Sequence, residues 1–271
     1  MPRRVGVVLS GCGARDGSDV REAVLLLHSL ERAGAEALCL APDVAQPRVR
    51  DHRTGEVDAT AGERRVLVEA ARIGGPTIHD LGTIDAVELD AVVFPGGKGV
   101  TEVLSNYVDK GVTCDVHPDV VRLCKALLAG HRPLGFVSNA ALLAARVLGP
   151  VAGVRLTLGA RGSVAAKHAA VMGADVRPCP PRELVVDEKA RVVTAPANMY
   201  EDARLGDVAV GIDKLVRTLM SLSRDRRPRP PAAASPPGPR PPASGPRPPQ
   251  GDRGPQPEPS RGFTRRESPR R

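Results

Sequence analysis

Asp90-Ala91-Val92-Val93-Phe94-Pro95-Gly96-Gly97 and Pro133-Leu134-Gly135-Phe136-Val137-Ser138-Asn139-Ala140 decide how this chain folds. Each begins as a short uncharged run, which reads as a buried strand, and breaks into a turn before a helical pattern. Both turns therefore belong at the carboxyl ends of parallel strands, the edge of an open α/β sheet where ligands bind. Ser138 falls between its strand and the Ala140–Ala145 helical run, where a side chain feels the positive end of a helix dipole. Gly96 and Gly97 let the backbone come close and aim N–H groups at the same spot. Together they read as an oxyanion site.

Working outward, Val5–Ser10 is a further β-rich run, followed by the glycine-rich turn Gly11-Cys12-Gly13-Ala14-Arg15-Asp16-Gly17. Ser18 or Asp19 caps a helix that runs to Arg32, stopped by Gly34. Ala37–Ala41 reads as the second strand, 42–62 as a long loop or hairpin insertion, and 63–73 as helix. The third strand is 90–94 and the fourth 133–137. Helices are expected at 99–105, at 118–129 with Pro118 in its first turn, and from 140 to about Val147. Val154–Leu158 and Asp175–Arg177 read as strands flanking a helix at 164–172. Leu184–Asp187 and Arg191–Thr194 form a hairpin, and a helix at 206–222 closes the domain. Strands alternating with helices at this spacing predict an α/β fold with a doubly wound, mostly parallel sheet over residues 1–223.

The composition narrows the function. The chain of 271 residues has 39 Lys+Arg, 31 Asp+Glu and a net charge of +8. Residues 224–271 hold 12 basic and 4 acidic side chains, which leaves 27 of each sign in residues 1–223. The folded part is thus neutral overall and is not expected to bind nucleic acid. Aromatics are 2% and Trp is absent, so bases would find no stacking platform. Five cysteines without close pairs suit free thiols in a reducing compartment; no zinc site, other metal site or cofactor is expected. No apolar run approaches the roughly 20 residues that span a bilayer. Met1-Pro2-Arg3-Arg4 passes at once into the first strand, so the sequence by itself points to the cytoplasm.

From Arg224 the composition shifts to 15 of the 27 prolines and almost no aliphatics. Such a segment reads as a disordered basic tail, because it lacks the apolar surface to offset its ordering entropy. Pro228–Pro231 and Pro246–Pro249 have polyproline II spacing, so docking to an SH3-like groove is the alternative reading. The tail's partner is not specified.

Val7-Val8-Leu9-Ser10-Gly11-Cys12-Gly13, Asp16-Gly17-Ser18 and Glu22-Ala23-Val24 resemble the opening of ElbB-type proteins. These form a branch of the ThiJ/PfpI superfamily, whose members are class I glutamine amidotransferase-like. Phe94-Pro95-Gly96-Gly97, Gly135-Phe136, Thr194-Ala195-Pro196-Ala197 and Gly211-Ile212-Asp213-Lys214-Leu215-Val216 continue the match in order, covering roughly residues 4–222. The resemblance implies a flavodoxin-like sandwich, a homodimer, and a glyoxalase- or deglycase-like activity on a small carbonyl metabolite. It also makes a mitochondrial location, as in vertebrate relatives, the alternative to the cytoplasm. It places a nucleophile at Ser138 and a glutamate that hydrogen-bonds it at Glu22. The oxyanion donors fall on the backbone N–H groups of Gly97 and Asn139, with Cys12, Gly96 and Lys98 lining the pocket.

The chain departs from the family at the turn itself. The family pattern Gly-Phe-x-Cys-Ile-Ala-Pro reads here Gly135-Phe136-Val137-Ser138-Asn139-Ala140-Ala141. A thiol is readily poised as thiolate at a helix N-terminus, whereas a hydroxyl needs an adjacent base. None of the six histidines sits in a motif that supplies one, and the turn lacks hydrolase-elbow spacing. Glu22, placed in a cleft, would have its pKa raised by desolvation. Three readings follow: an impaired ElbB-like protein with a retained small-molecule pocket, an active glyoxalase- or deglycase-like enzyme, or an interaction protein working through its tail.

Overall fold

In the computed structural model, which describes residues 2–224, seven strands form one sheet in the order β3-β2-β1-β4-β5-β9-β8. These are β1 (Arg3–Val8), β2 (Ala35–Ala41), β3 (His79–Asp80), β4 (Ala91–Phe94), β5 (Leu134–Val137), β8 (Val185–Asp187) and β9 (Val192–Ala195). All neighbours are parallel except β8 and β9, which pair antiparallel as the expected hairpin. The short pair β6 (Arg155–Leu156) and β7 (Asp175–Val176) stands apart as a second parallel sheet.

Strand composition explains the layering. Every residue of β4, β5 and β9 is buried, as a central parallel strand covered on both faces requires. Phe94 and Phe136 stack in register at 4.9 Å between ring centroids, the largest side chains of a core otherwise built from Val, Leu and Ala. The helices are α1 (Val20–Arg32), α2 (Val66–Gly74), α3 (Gly99–Glu102), α4 (Tyr107–Lys110), α5 (Pro118–Ala129), α6 (Ala141–Ala152), α7 (Val164–Val171) and α8 (Leu205–Leu222).

Some boundaries differ from the sequence expectation. The helix expected at 99–105 stops at Glu102, where the Ser105 hydroxyl bonds Val100 C=O and the Leu104 N–H turns back to Gly99 C=O. The next helix, α6, continues past Val147 through Pro150 to Ala152. The first strand spans Arg3–Val8 instead of Val5–Ser10, and 154–158 narrows to Arg155–Leu156. The insertion at 42–65 closes through isolated antiparallel bridges at Ala45/Arg65 and Arg50/Val57. The Pro-rich tail lies outside the described residues, apart from Arg224.

The sheet order reverses between β1 and β4: β2 and β3 lie to one side, β5 and β9 to the other. At such a switch point the loops leave in opposite directions and open a crevice at the strands' carboxyl ends. The turns 95–98 and 138–140, the glycine turn after β1 and the segment after β9 all meet there.

Candidate active site

Three of the residues expected at the site converge on Gly96. A Cβ built on Gly96 would lie 2.7 Å from Glu22 Oε2, 2.7 Å from the Ser138 Cβ and 2.8 Å from Asn139 Oδ1. No side chain fits in that space, so glycine is required by close approach. Gly97 is required for a second reason: its φ is +115°, and a Cβ there would strike the backbone of Gly17 and Asp19.

Glu22 sits in the first turn of α1, fully buried, below a helix start capped by Asp19 Oδ1, which accepts from the Arg21 and Glu22 N–H groups. Its Oε2 accepts from the Gly96 N–H at 2.8 Å and its Oε1 from the Asn198 N–H at 3.3 Å. Burial, followed by the neighbouring Asp19 charge, pushes its pKa up to about 7, against the smaller lowering effect of the backbone hydrogen bonds. Desolvation outweighs donation because all bulk water is gone while only the Gly96 and Asn198 N–H groups and the Asn198 side chain replace it. Glu22 is therefore divided between acid and carboxylate near neutral pH.

Ser138 is 6% exposed and held at φ +56°. A non-glycine residue in the left-handed region is strained, a cost seen most often where a side chain must be aimed at a site. Its hydroxyl has no hydrogen-bond partner among the described residues. The imidazoles are engaged elsewhere or lie outside the crevice. His168 Nδ1 meets the Tyr107 hydroxyl at 2.7 Å, His117 Nδ1 accepts from the Asp119 N–H, and His52 lies beside Asp16.

The Asn139 side chain corrects the expectation for one of the two oxyanion donors, the Gly97 N–H. Its Oδ1 accepts from the Gly97 N–H at 3.0 Å, and its Nδ2 donates to the Gly97 C=O at 2.9 Å. This two-bond clamp takes up the Gly97 N–H that the resemblance assigned to a substrate oxygen. The Gly96 N–H is likewise taken, by Glu22. The two glycine amides do point into one spot, but the protein's own side chains already fill it.

Cys12 and Lys98 do not join the cluster as expected. Cys12 follows β1, and its charged neighbours are Arg72, Glu69 and Asp16 rather than Glu22; burial raises its thiol pKa. A reactive thiol needs the opposite shift. Lys98 is exposed and contributes its backbone, the N–H bonding Ala14 C=O. Among the described residues its ammonium makes no ion pair. No group of three or more His, Cys, Asp or Glu among the described residues is arranged to hold a metal ion.

Two site residues escaped the sequence reading. Asn198, just after β9, bonds Glu22 through its N–H and Asp19 Oδ2 through Nδ2 at 3.2 Å. Ala197 before it is held at φ +43°, which turns that N–H toward Glu22. Arg50, in the insertion, anchors the glycine turn. Its N–H bonds Asp16 Oδ2 at 2.9 Å and its Nη2 bonds Glu102 Oε1 at 2.9 Å.

A doubly wound sheet with a strained residue at the β5–α6 turn, faced by a buried glutamate from α1, defines the class I glutamine amidotransferase-like architecture. No protein-family model matches the chain. It is 39% identical over 230 residues to the glutamine amidotransferase-like class 1 domain-containing protein 3, mitochondrial, of Homo sapiens, covering 81% of this chain and 83% of that protein. It is 37% identical over 228 residues to the ES1 protein homolog, mitochondrial, of Rattus norvegicus, covering 81% and 84%. Among solved structures it is similar to an isoprenoid biosynthesis protein with amidotransferase-like domain from Ehrlichia chaffeensis. That match has 30% identity and a TM-score of 0.75, over 81% of this chain and 99% of that one. The chain belongs to the ElbB/ES1 family of glutamine amidotransferase-like class 1 domain proteins.

Proposed function

We propose that this domain is a catalytically impaired ElbB-type protein, in which Ser138 stands where the family carries its cysteine. The clamp of Asn139 on Gly97 carries the reading. Acyl- and carbonyl-transfer sites gain much of their rate from N–H donors left free for the developing oxyanion. Here the donor at Gly97 is bonded to an amide side chain. A serine hydroxyl also needs a base to remove its proton. Glu22 is the carboxylate of the cluster, and each of its oxygens already accepts a backbone N–H.

The family resemblance also implies a small-molecule pocket beside Ser138 for a small carbonyl metabolite, which the protein would hold without converting. A homodimer is the assembly the family resemblance supports, and light scattering on the full chain tests it. The mitochondrial names of the human and rat relatives favour that compartment over the cytoplasm. No helix among the described residues is long and apolar enough to cross a membrane.

The test of impairment is turnover of glyoxal and methylglyoxal by purified protein. The expected result is none above the uncatalysed rate. Turnover that Ser138→Ala abolishes would overturn the reading. The double change Ser138→Cys with Asn139→Ile, which restores the Cys-Ile pair of the family turn, is expected to gain activity that Ser138→Cys alone gains only weakly. The nucleophile would then return together with the free Gly97 N–H.

A further inference from the structure

We propose that the opposite end of the sheet carries a second site, which binds a small phosphate-bearing molecule. A cavity of about 290 Å³ opens where α1 and α8 end and β1 begins, lined among others by Arg3, Ser29, Arg32, Asp213, Arg217 and Arg224. Four guanidinium groups face one carboxylate, a formal excess of three positive charges. That carboxylate is occupied: Asp213 Oδ2 lies 2.9 Å from Arg217 Nε. Arg3, Arg32 and Arg224 make no ion pair and no side-chain hydrogen bond among the described residues.

The ordinary explanation for arginines in this position is that they neutralise helix carboxyl ends. It does not cover these. The last carbonyls of α1 are met by backbone, from the Ala33 N–H to Ser29 and Leu30 and from the Gly34 N–H to Glu31. Those of α8 are met by Arg191 at Leu222, by the Ser223 hydroxyl at Met220, by the Ser223 N–H at Leu219 and by the Arg224 N–H at Ser221. The two macrodipoles supply roughly one elementary negative charge between them. About two positive charges remain, the charge of a phosphate monoester dianion near neutral pH.

A second, independent observation points the same way. Ser29 is only 5% exposed, lines the cavity, and its hydroxyl has no hydrogen-bond partner among the described residues. It is a donor left free in a cavity that three unengaged guanidinium groups also line, and such forks match phosphate oxygens two at a time. The volume lies at the bottom of the range for ligand pockets, so the ligand is phosphate with a short substituent at most.

Isothermal titration calorimetry on the full chain tests this, with inorganic phosphate and glycerol 3-phosphate as separate probes. Saturable one-to-one binding is expected for at least one of them. Tighter binding of the ester assigns the site to phosphate esters; equal or tighter binding of inorganic phosphate assigns it to the free ion. Arg32→Gln is expected to weaken binding about ten-fold or more, and Ser29→Ala less. Arg32→Lys should give an intermediate loss, because it keeps the charge and removes the fork. Arg240→Gln with Arg247→Gln, in the basic tail, should change nothing. No saturable binding of either probe, binding that survives Arg32→Gln, or binding lost with the tail change would each overturn the proposal.

Discussion

The two ends of the β-sheet handle their polar groups in opposite ways. At the carboxyl end, around Gly96, the glutamate oxygens, both glycine amides and the Asn139 amide are bonded to one another. At the amino end, around Arg3 and Arg32, three guanidinium groups and the Ser29 hydroxyl line a cavity without partners among the described residues. The first end has the backbone strain, the buried acid and the sheet position of a reaction site, but its two glycine N–H groups are already engaged and the Ser138 hydroxyl is left without a base. The second has none of those marks and retains unengaged donors. Inherited architecture therefore locates where chemistry is done in this fold, while the state of the hydrogen bonds says whether a ligand can still be received there.

The sharpest way to break the comparison is to ask whether the carboxyl end is as closed as its geometry indicates. Glu22 titrates at about 7 in the fold against an ordinary 4.5. Between those values the native state holds a proton that the unfolded chain has released, so stability falls as pH rises through the window and is level above it. The decline is on the order of 3 kcal/mol. In Glu22→Gln this slope should vanish, although the absolute stability drops, because the new amide presents N–H groups to a backbone donor. Urea unfolding at pH 5 and pH 8 reads it. A wild-type curve flat across that interval would mean that water reaches Glu22 and that the site is open.

Next in size is the clamp. Asn139→Ala removes two hydrogen bonds and leaves the Gly97 N–H without a partner, while the Gly97 C=O keeps the Val100 N–H, an expected loss of about 2 kcal/mol. Amide exchange at Gly97 should quicken at the same time. A change below about 0.5 kcal/mol with unchanged exchange would show that water replaces the side chain at no cost, and that the donor is available after all.

The clamp also marks the limit of what could be read from the chain. The strands were legible where apolar runs end in glycine turns, because burial on both faces leaves a continuous hydrophobic signature. Strand β3 was not, since two residues, His79 and Asp80, carry no such pattern. Gly96 and Ser138 were legible because each sits in a turn at a strand end, whereas Glu22 was placed by the family resemblance. The bond between Asn139 and Gly97 was not legible, since it joins residues 42 positions apart through one orientation of an amide. Asn198 was missed because its contribution is mainly a backbone N–H, turned inward by the positive φ of Ala197. A strained turn leaves no compositional trace beyond its neighbouring Pro196.

A smaller effect, of opposite sign, tests the strain at Ser138. Its hydroxyl forms no hydrogen bond among the described residues, so Ser138→Gly forfeits little and relieves the left-handed backbone. Thermal unfolding should show between no change and about 1 kcal/mol of gain, the backbone relief being partly offset by the freer unfolded chain. A loss above 1 kcal/mol would give the hydroxyl a structural role that the geometry denies.

The smallest expected effect belongs to the other end of the sheet. Arg32 is exposed, makes no ion pair among the described residues, and the helix carbonyls near it are bonded by other groups. Arg32→Gln should therefore alter stability in phosphate-free buffer by no more than about 0.5 kcal/mol. Excess inorganic phosphate should raise the midpoint of the wild-type chain more than that of the variant, because a ligand of the native state stabilises it by mass action. A large loss in phosphate-free buffer would make Arg32 a structural counter-charge to the two helix ends. The contrast between the ends would then disappear: both would be saturated by the protein's own groups.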